Sequence, residues 1–141
     1  MSTRSMIAIS DADSNFYAVY CHFDGYVSHM GKMLQTYFNS TEKAVELVNE
    51  GELRSIMPSN ENESEVVLEH FEERFEKREI EYYDTMEDML DAFRHSDREF
   101  IYLWDEELEG WIYRESLYTE HGKALNGCWV PVTVELINNC M

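Results

Sequence analysis

The residues best suited to do chemistry are Cys21, His22, Asp24 and His29. A cysteine beside a histidine is the pairing that yields a thiolate nucleophile, and His22, Asp24 and His29 are donor types that hold a divalent metal in hydrolases. Geometry weighs against the first use. Residues 16–23 (FYAVYCHF) read as a strand, where adjacent side chains point to opposite faces, so Cys21 and His22 do not meet. His22 and Asp24 share a face, which leaves two uses open: a metal site, or backbone hydrogen bonds that fix the turn at Asp24-Gly25. The chain has no P-loop, GxGxxG, HExxH, EF-hand loop or zinc-ligand spacing. No cofactor is expected, and a non-enzymatic role ranks above a small metal-dependent hydrolase built on His22, Asp24 and His29.

The stronger signal is electrostatic. Among 141 residues, 29 are Asp or Glu and 11 are Lys or Arg, a net charge of −18. Residues 61–109 hold nineteen of the acids and five of the bases, a net of −14. Solubility of a small domain asks for a magnitude of only about 2–8, and an excess of this size repels itself. It argues against direct contact with nucleic acid or a membrane surface, because both need Lys and Arg to neutralise phosphate.

Two groups of acids stand out. On a helix, Glu65, Glu69, Glu72, Glu73 and Glu76 would share one face, although like charges four apart destabilise that helix. On a strand the row dissolves. Asp105, Glu106, Glu107 and Glu109 would crown the tip of a hairpin. Duplex DNA presents one charge per ~1.7 Å of axis, and carboxylates on rigid elements can imitate that density. The partner expected is then a protein with a basic nucleic-acid-binding cleft, blocked by an acidic mimic. The competing readings are a solvated face kept for solubility, and a binding module that uses an apolar patch.

Hydrophobic residues at 44% and aromatics at 13% describe a chain that folds, and its length suits one domain spanning 1–141. Residues 5–10 and 16–23 read as a hairpin around Asp11-Ala-Asp-Ser-Asn15. Ser28 is placed to cap a helix carrying Met30, Met33, Leu34, Tyr37 and Phe38 on one stripe, and Asn39 with Glu42 to open a second that stops at Gly51. Residues 52–64 read as a surface loop, and 65–83 as helix or strand. Asp84-Thr-Met-Glu87 opens a further amphipathic helix. A second hairpin joins Glu99–Trp104 to Trp111–Arg114, and its Tyr102, Trp104, Trp111 and Tyr113 suit core packing, with a homodimer contact as another use. The tail from Trp129 fits strand or short helix. The fold class expected is α+β: a mixed, mainly antiparallel sheet from two hairpins, with about three amphipathic helices on one face.

Met1-Ser-Thr-Arg-Ser-Met-Ile-Ala8 and Tyr20-Cys-His-Phe-Asp-Gly-Tyr26 resemble a family of short tailed-phage proteins whose members open MSTRSxIA and carry YCHWDGYP. The likeness covers the first fifty or so residues, extends to Glu50–Ser55 and to the aromatic run Glu99–Tyr113, and is poor over 57–98. Phe23 stands where the motif has Trp, and Val27 where it has Pro. The resemblance implies a phage product acting in the cytoplasm of an infected bacterium and transfers no activity; it gives an acidic mimic a context, in which the protein blocked is a host defence or DNA/RNA-processing factor. The polar N-terminus, the lack of a bilayer-length apolar run, and three cysteines without CxxC spacing also fit a reducing cytoplasm.

Overall fold

A computed structural model describes residues 3–59, 65–69, 80–119, 122–125, 129–133, 135 and 137. Strands β1 (Ser5–Ser10) and β2 (Phe16–Cys21) pair antiparallel from Ser5↔Cys21 to Ser10↔Phe16. Two short strands follow the first helices: β3 (Ser55–Pro58) and β4 (Val66–Glu69), which pair with each other. Then come β5 (Glu81–Tyr83), β6 (Phe100–Asp105), β7 (Gly110–Thr119), β8 (Gly122–Leu125) and β9 (Val130–Pro131). The main sheet runs β5-β2-β1-β6-β7-β8, with β9 also on β7. It is mixed, because β1 lies parallel to β6 in the register Ser5↔Phe100 to Ala8↔Leu103.

The helices are α1 (Lys32–Tyr37), α2 (Thr41–Asn49) and α3 (Met86–Arg94), and a π-helical turn, Val27–Gly31, leads into α1. They cover both faces of the sheet, not one. Ile7, Ile9, Val19, Tyr102 and Trp104 pack on Met30, Leu34, Leu47 and Val48, while Met6, Ala8, Ala18, Ile101 and Leu103 pack on Met89 and Phe93 of α3. The reason is already in β1 and β6. Met6–Ile9 of β1 and Phe100–Trp104 of β6 are apolar at consecutive rather than alternate positions, the pattern of strands buried on both faces.

Several local expectations shift. The Ser28 side chain caps no helix; Tyr26 precedes the π-helical turn without a side-chain cap. The caps of α2 and α3 are Ser40 and Thr85, one residue beyond the predicted starts, accepting from the amides of Lys43 and Asp88. Gly51 does end α2, in the left-handed conformation (φ 78°) that a Cβ disfavours. The predicted loop 52–64 contains β3, and residues 66–69 settle as strand. The tail uses both conformations expected of it: it pairs as β9 through Ile112↔Pro131 and Tyr113↔Val130, and is helical at Glu135 and Ile137, where the Ile137 amide donates to Thr133 O at 3.0 Å. Among the described residues no helix is long and apolar enough to cross a membrane.

Three aromatic residues of β6 and β7 are core, and Phe100 and Tyr113 pack half-buried against them. Tyr102, Trp104 and Trp111 are buried, and each polar tip is satisfied: the Tyr102 hydroxyl donates to Gly25 O at 2.7 Å, Trp104 Nε1 to Thr41 Oγ1 at 2.9 Å, and Trp111 Nε1 to Phe38 O at 2.9 Å. These three bonds tie the helical layer to the sheet, so these rings are not an exposed dimer surface.

Candidate functional site

The structure gives Cys21, His22, Asp24 and His29 separate structural duties. Cys21 is fully buried, and that burial pushes its thiol up to about 12, far from a thiolate at neutral pH. His22 Nε2 lies 2.9 Å from Glu52 Oε1, its ring 4.0 Å from that of Tyr20. His29 Nε2 bonds the carbonyl of Ile56 at 2.7 Å, pinning the π-helical turn to β3. Asp24 takes the left-handed conformation (φ 56°) that Asp tolerates better than most residues. It precedes Gly25, where an added Cβ would come within 2.7 Å of Ser5 Cβ. Among the described residues no group of three or more His, Cys, Asp or Glu is placed to hold a metal ion, so His22, Asp24 and His29 do not assemble as a ligand set.

The predicted acidic row also does not assemble as drawn. Glu65 is exposed just before β4 and Glu69 ends it, so the helical spacing fails for these two; Glu72, Glu73 and Glu76 lie outside the described residues. Glu69 pairs in register with Ser55, two residues after the bridge Cys21↔Leu53. That places it toward the C-terminal end of β2, away from the turn that carries Asp105.

The turn itself is well built. Asp105 Oδ1 accepts from the amides of Glu107 and Leu108 at 2.9 and 3.3 Å, and Glu109 adopts φ 49° to bring the chain back into β7. An aspartate that accepts backbone amides two and three residues on is a standard turn device. Glu106, Glu107 and Glu109 are left exposed, around a Leu108 that is 60% exposed.

Strand pairing brings further carboxylates to this end of the sheet. Because β1 and β6 are parallel, the turn after β1 (Asp11, Asp13) and the turn after β6 (Asp105, Glu106, Glu107, Glu109) emerge at the same end. Because β5 pairs antiparallel with β2 through Phe16↔Tyr83, Asp84 leaves the sheet there too. The three segments border one groove, lined by Asp11, Glu106 and Tyr82, and the Tyr82 phenol is raised by its hydrogen bond to Asp84, by desolvation and by the charges of Asp84 and Asp11. Asp11 is fixed by its own turn, Oδ1 accepting from Asn15 N at 3.0 Å and Asp13 N at 2.9 Å. The Asn15 amide is the main influence holding its carboxyl below the ordinary value. The first turn of α3 adds Glu87 and Asp88 directly after Asp84 and Thr85.

Among the described residues no Lys or Arg pairs with Asp11, Asp13, Asp84, Asp105, Glu106, Glu107 or Glu109. The described arginines are engaged elsewhere: Arg4 with Asp97, Arg94 with Asp91, Arg98 with Glu81, Arg54 over Phe23 and Arg114 over Trp129. Sequence reasoning found the Asp105–Glu109 group. It missed Asp11, Asp13 and Asp84, because the only signal was that each sits in a turn next to a strand. Comparisons of the chain with protein-family models, with characterised proteins and with solved structures return no match.

Proposed function

We propose that this protein is a non-enzymatic inhibitor that uses the acidic end of its sheet to occupy the basic, nucleic-acid-binding cleft of a protein partner. The observation that carries the reading is the convergence of Asp11, Asp13, Asp84, Asp105, Glu106, Glu107 and Glu109, from three separate turns, with no described cation paired to them. Carboxylates fixed by backbone hydrogen bonds, as Asp11 and Asp105 are, lose little freedom on binding and keep their charge where the fold puts it. A basic cleft would be steered toward them over about one Debye length, ~8 Å at physiological ionic strength, and blocked once seated. The resemblance to short tailed-phage proteins suggests where such an inhibitor acts: in an infected bacterium, against a defence or DNA/RNA-processing factor.

The test is capture from nuclease-treated bacterial lysate with the tagged chain, comparing it with a variant carrying Asp13→Lys, Glu106→Lys, Glu107→Lys and Glu109→Lys. The expected result is a nucleic-acid-binding protein that is retained at low salt, displaced by added DNA or RNA, and absent with the variant. Capture that survives both high salt and the four reversals would overturn the reading in favour of an apolar interface.

A further inference from the structure

The acidic end is not uniformly polar. A groove of about 570 Å³ opens there between α2 and the strands, lined by Ile9, Tyr17, Val45, Ile80 and Tyr82, with Asp11 and Glu106 among its walls. That volume is ordinary for a site that takes a small ligand or one side chain of a partner, ~300–1,000 Å³. Register explains the lining. Tyr17 opposes Ile9 on one side and Tyr82 on the other, so all three face α2, and Ile80, two residues before Tyr82, faces the same way. Tyr17 and Tyr82 meet edge to face, with ring centroids 5.3 Å apart.

Such a lining is unusual for a surface kept only for solubility. Val45, Ile80 and Tyr82 are exposed apolar side chains, Tyr82 by 51%, beside carboxylates that no described cation neutralises. The combination selects a ligand with an aliphatic stem and a cationic end. The stem would lie on Ile9, Val45 and Ile80. The cation would meet the electron-rich faces of the tyrosines and the charges of Asp11 and Glu106. A planar guanidinium suits it better than an ammonium, since it stacks on aromatic faces and is more weakly hydrated.

We infer that this groove is a specific receptor for an arginine side chain presented by the partner protein. The inference deepens the proposed function, since it names the one contact at the acidic end that depends on shape as well as on charge. Asp11 is held ready by Asn15 and Asp13, and the Tyr17 hydroxyl approaches its Oδ2 at 3.3 Å, so the anionic wall is set before the ligand arrives.

The experiment is an amide NMR titration of the whole chain with a blocked arginine peptide, its lysine and citrulline counterparts, and spermidine. The arginine peptide should shift the resonances of Asp11, Val45, Tyr82 and Asn49, which also lines the groove, with lysine weaker and uncharged citrulline silent. Tyr82→Leu and Glu106→Gln should each weaken binding about three- to tenfold. Glu109→Gln, on the same turn but outside the groove lining, should change it by less than about twofold. Tyr82 is half exposed on a short edge strand, and an unchanged spectrum away from the groove verifies that the Leu variant folds. Equal response to citrulline, equal effects of Glu106→Gln and Glu109→Gln, or tighter binding of spermidine than of the arginine peptide would each overturn the inference. Failure can be told apart from failure of the inhibitor reading. A captured partner with silent groove resonances defeats the groove alone, whereas arginine binding without any captured partner defeats the inhibitor reading alone.

Discussion

The two ends of the main sheet treat their carboxylates in opposite ways. Toward the end where β1 and β6 begin, acids are matched to cations. Arg4 Nε lies 3.3 Å from Asp97, the Tyr20 hydroxyl donates to the same carboxylate at 2.8 Å, and Arg98 reaches Glu81 at 2.7 Å while lying over the Tyr20 ring. Burial, then the Asp97 bond, drives the Tyr20 phenol well above its ordinary value, so it remains a donor. Burial and Glu81 push the Tyr83 phenol up to about 12. At the opposite end, Asp11, Asp13, Asp84 and the Asp105–Glu109 turn have backbone amides and phenols for company but no described cation. The first end is part of what holds the molecule together. At the second, Asp11 and Asp105 brace their own turns, but no described cation offsets the charge gathered there, and that excess marks this end as the functional candidate.

The comparison is broken most directly through Arg98. Its side chain is 11% exposed and that of Glu81 26%, so Arg98→Ala leaves a half-buried carboxylate without its cation and strips the stacked guanidinium from Tyr20. A fully buried pair would lose about 3–5 kcal/mol in this way, and the residual exposure of Glu81 lowers the expectation to about 2–3 kcal/mol. Urea unfolding measures it. A loss under about 0.5 kcal/mol would place both ends of the sheet in the same class of solvated charge.

A smaller effect separates the ends by pH. Asp11 has a folded value below its ordinary 3.8, chiefly because its carboxylate accepts the Asn15 amide. A depressed carboxyl contributes stability that is complete above the unfolded value and disappears as pH falls through the folded one. Asp11→Asn keeps the acceptor oxygen but removes the charge. The native chain should therefore be the more stable of the two at pH 5–7, and its advantage should vanish below 3.8. Thermal melts of both proteins from pH 2 to 7 test the sign; a gap that widens on acidification would mean that repulsion from Asp13 and Glu106 outweighs the turn.

What the sequence could reveal about this contrast was limited by how far each feature reaches along the chain. Strands at 5–10 and 16–21, and the helix that follows Asp84, were legible because β-prone runs around a turn cluster, helical stripes and capping patterns are local. The Asp105–Glu109 turn was legible for the same reason. The parallel pairing of β1 with β6 was not, since no local pattern marks two strands more than ninety residues apart as neighbours, and without it Asp11, Asp13 and Asp84 remain scattered acids. The run Met6-Ile7-Ala8-Ile9, apolar on both faces of β1, was the local signal for cover on two sides, and the expectation of helices on one face passed over it. The short strands at 55–58 and 81–83 hid in polar, low-contrast segments, and the second of them supplies Tyr82 to the groove.

The smallest expected effect sharpens the comparison by removing charge without reversing it. Glu106, Glu107 and Glu109 are exposed and unpaired among the described residues, so replacing all three with Gln takes away mutual repulsion and no attraction. At low salt the melting temperature should rise, by roughly 1–2 °C for a chain of this size. In 1 M salt, where the Debye length is about 3 Å, the rise should disappear. Glu81→Gln at the matched end should do the reverse, lowering the melting temperature at either salt, because it weakens a short and largely shielded bond to Arg98. If the triple variant also loses stability, the turn carboxylates have partners that hold them in place, and the acidic end is then structural in the same sense as the end that Arg98 secures.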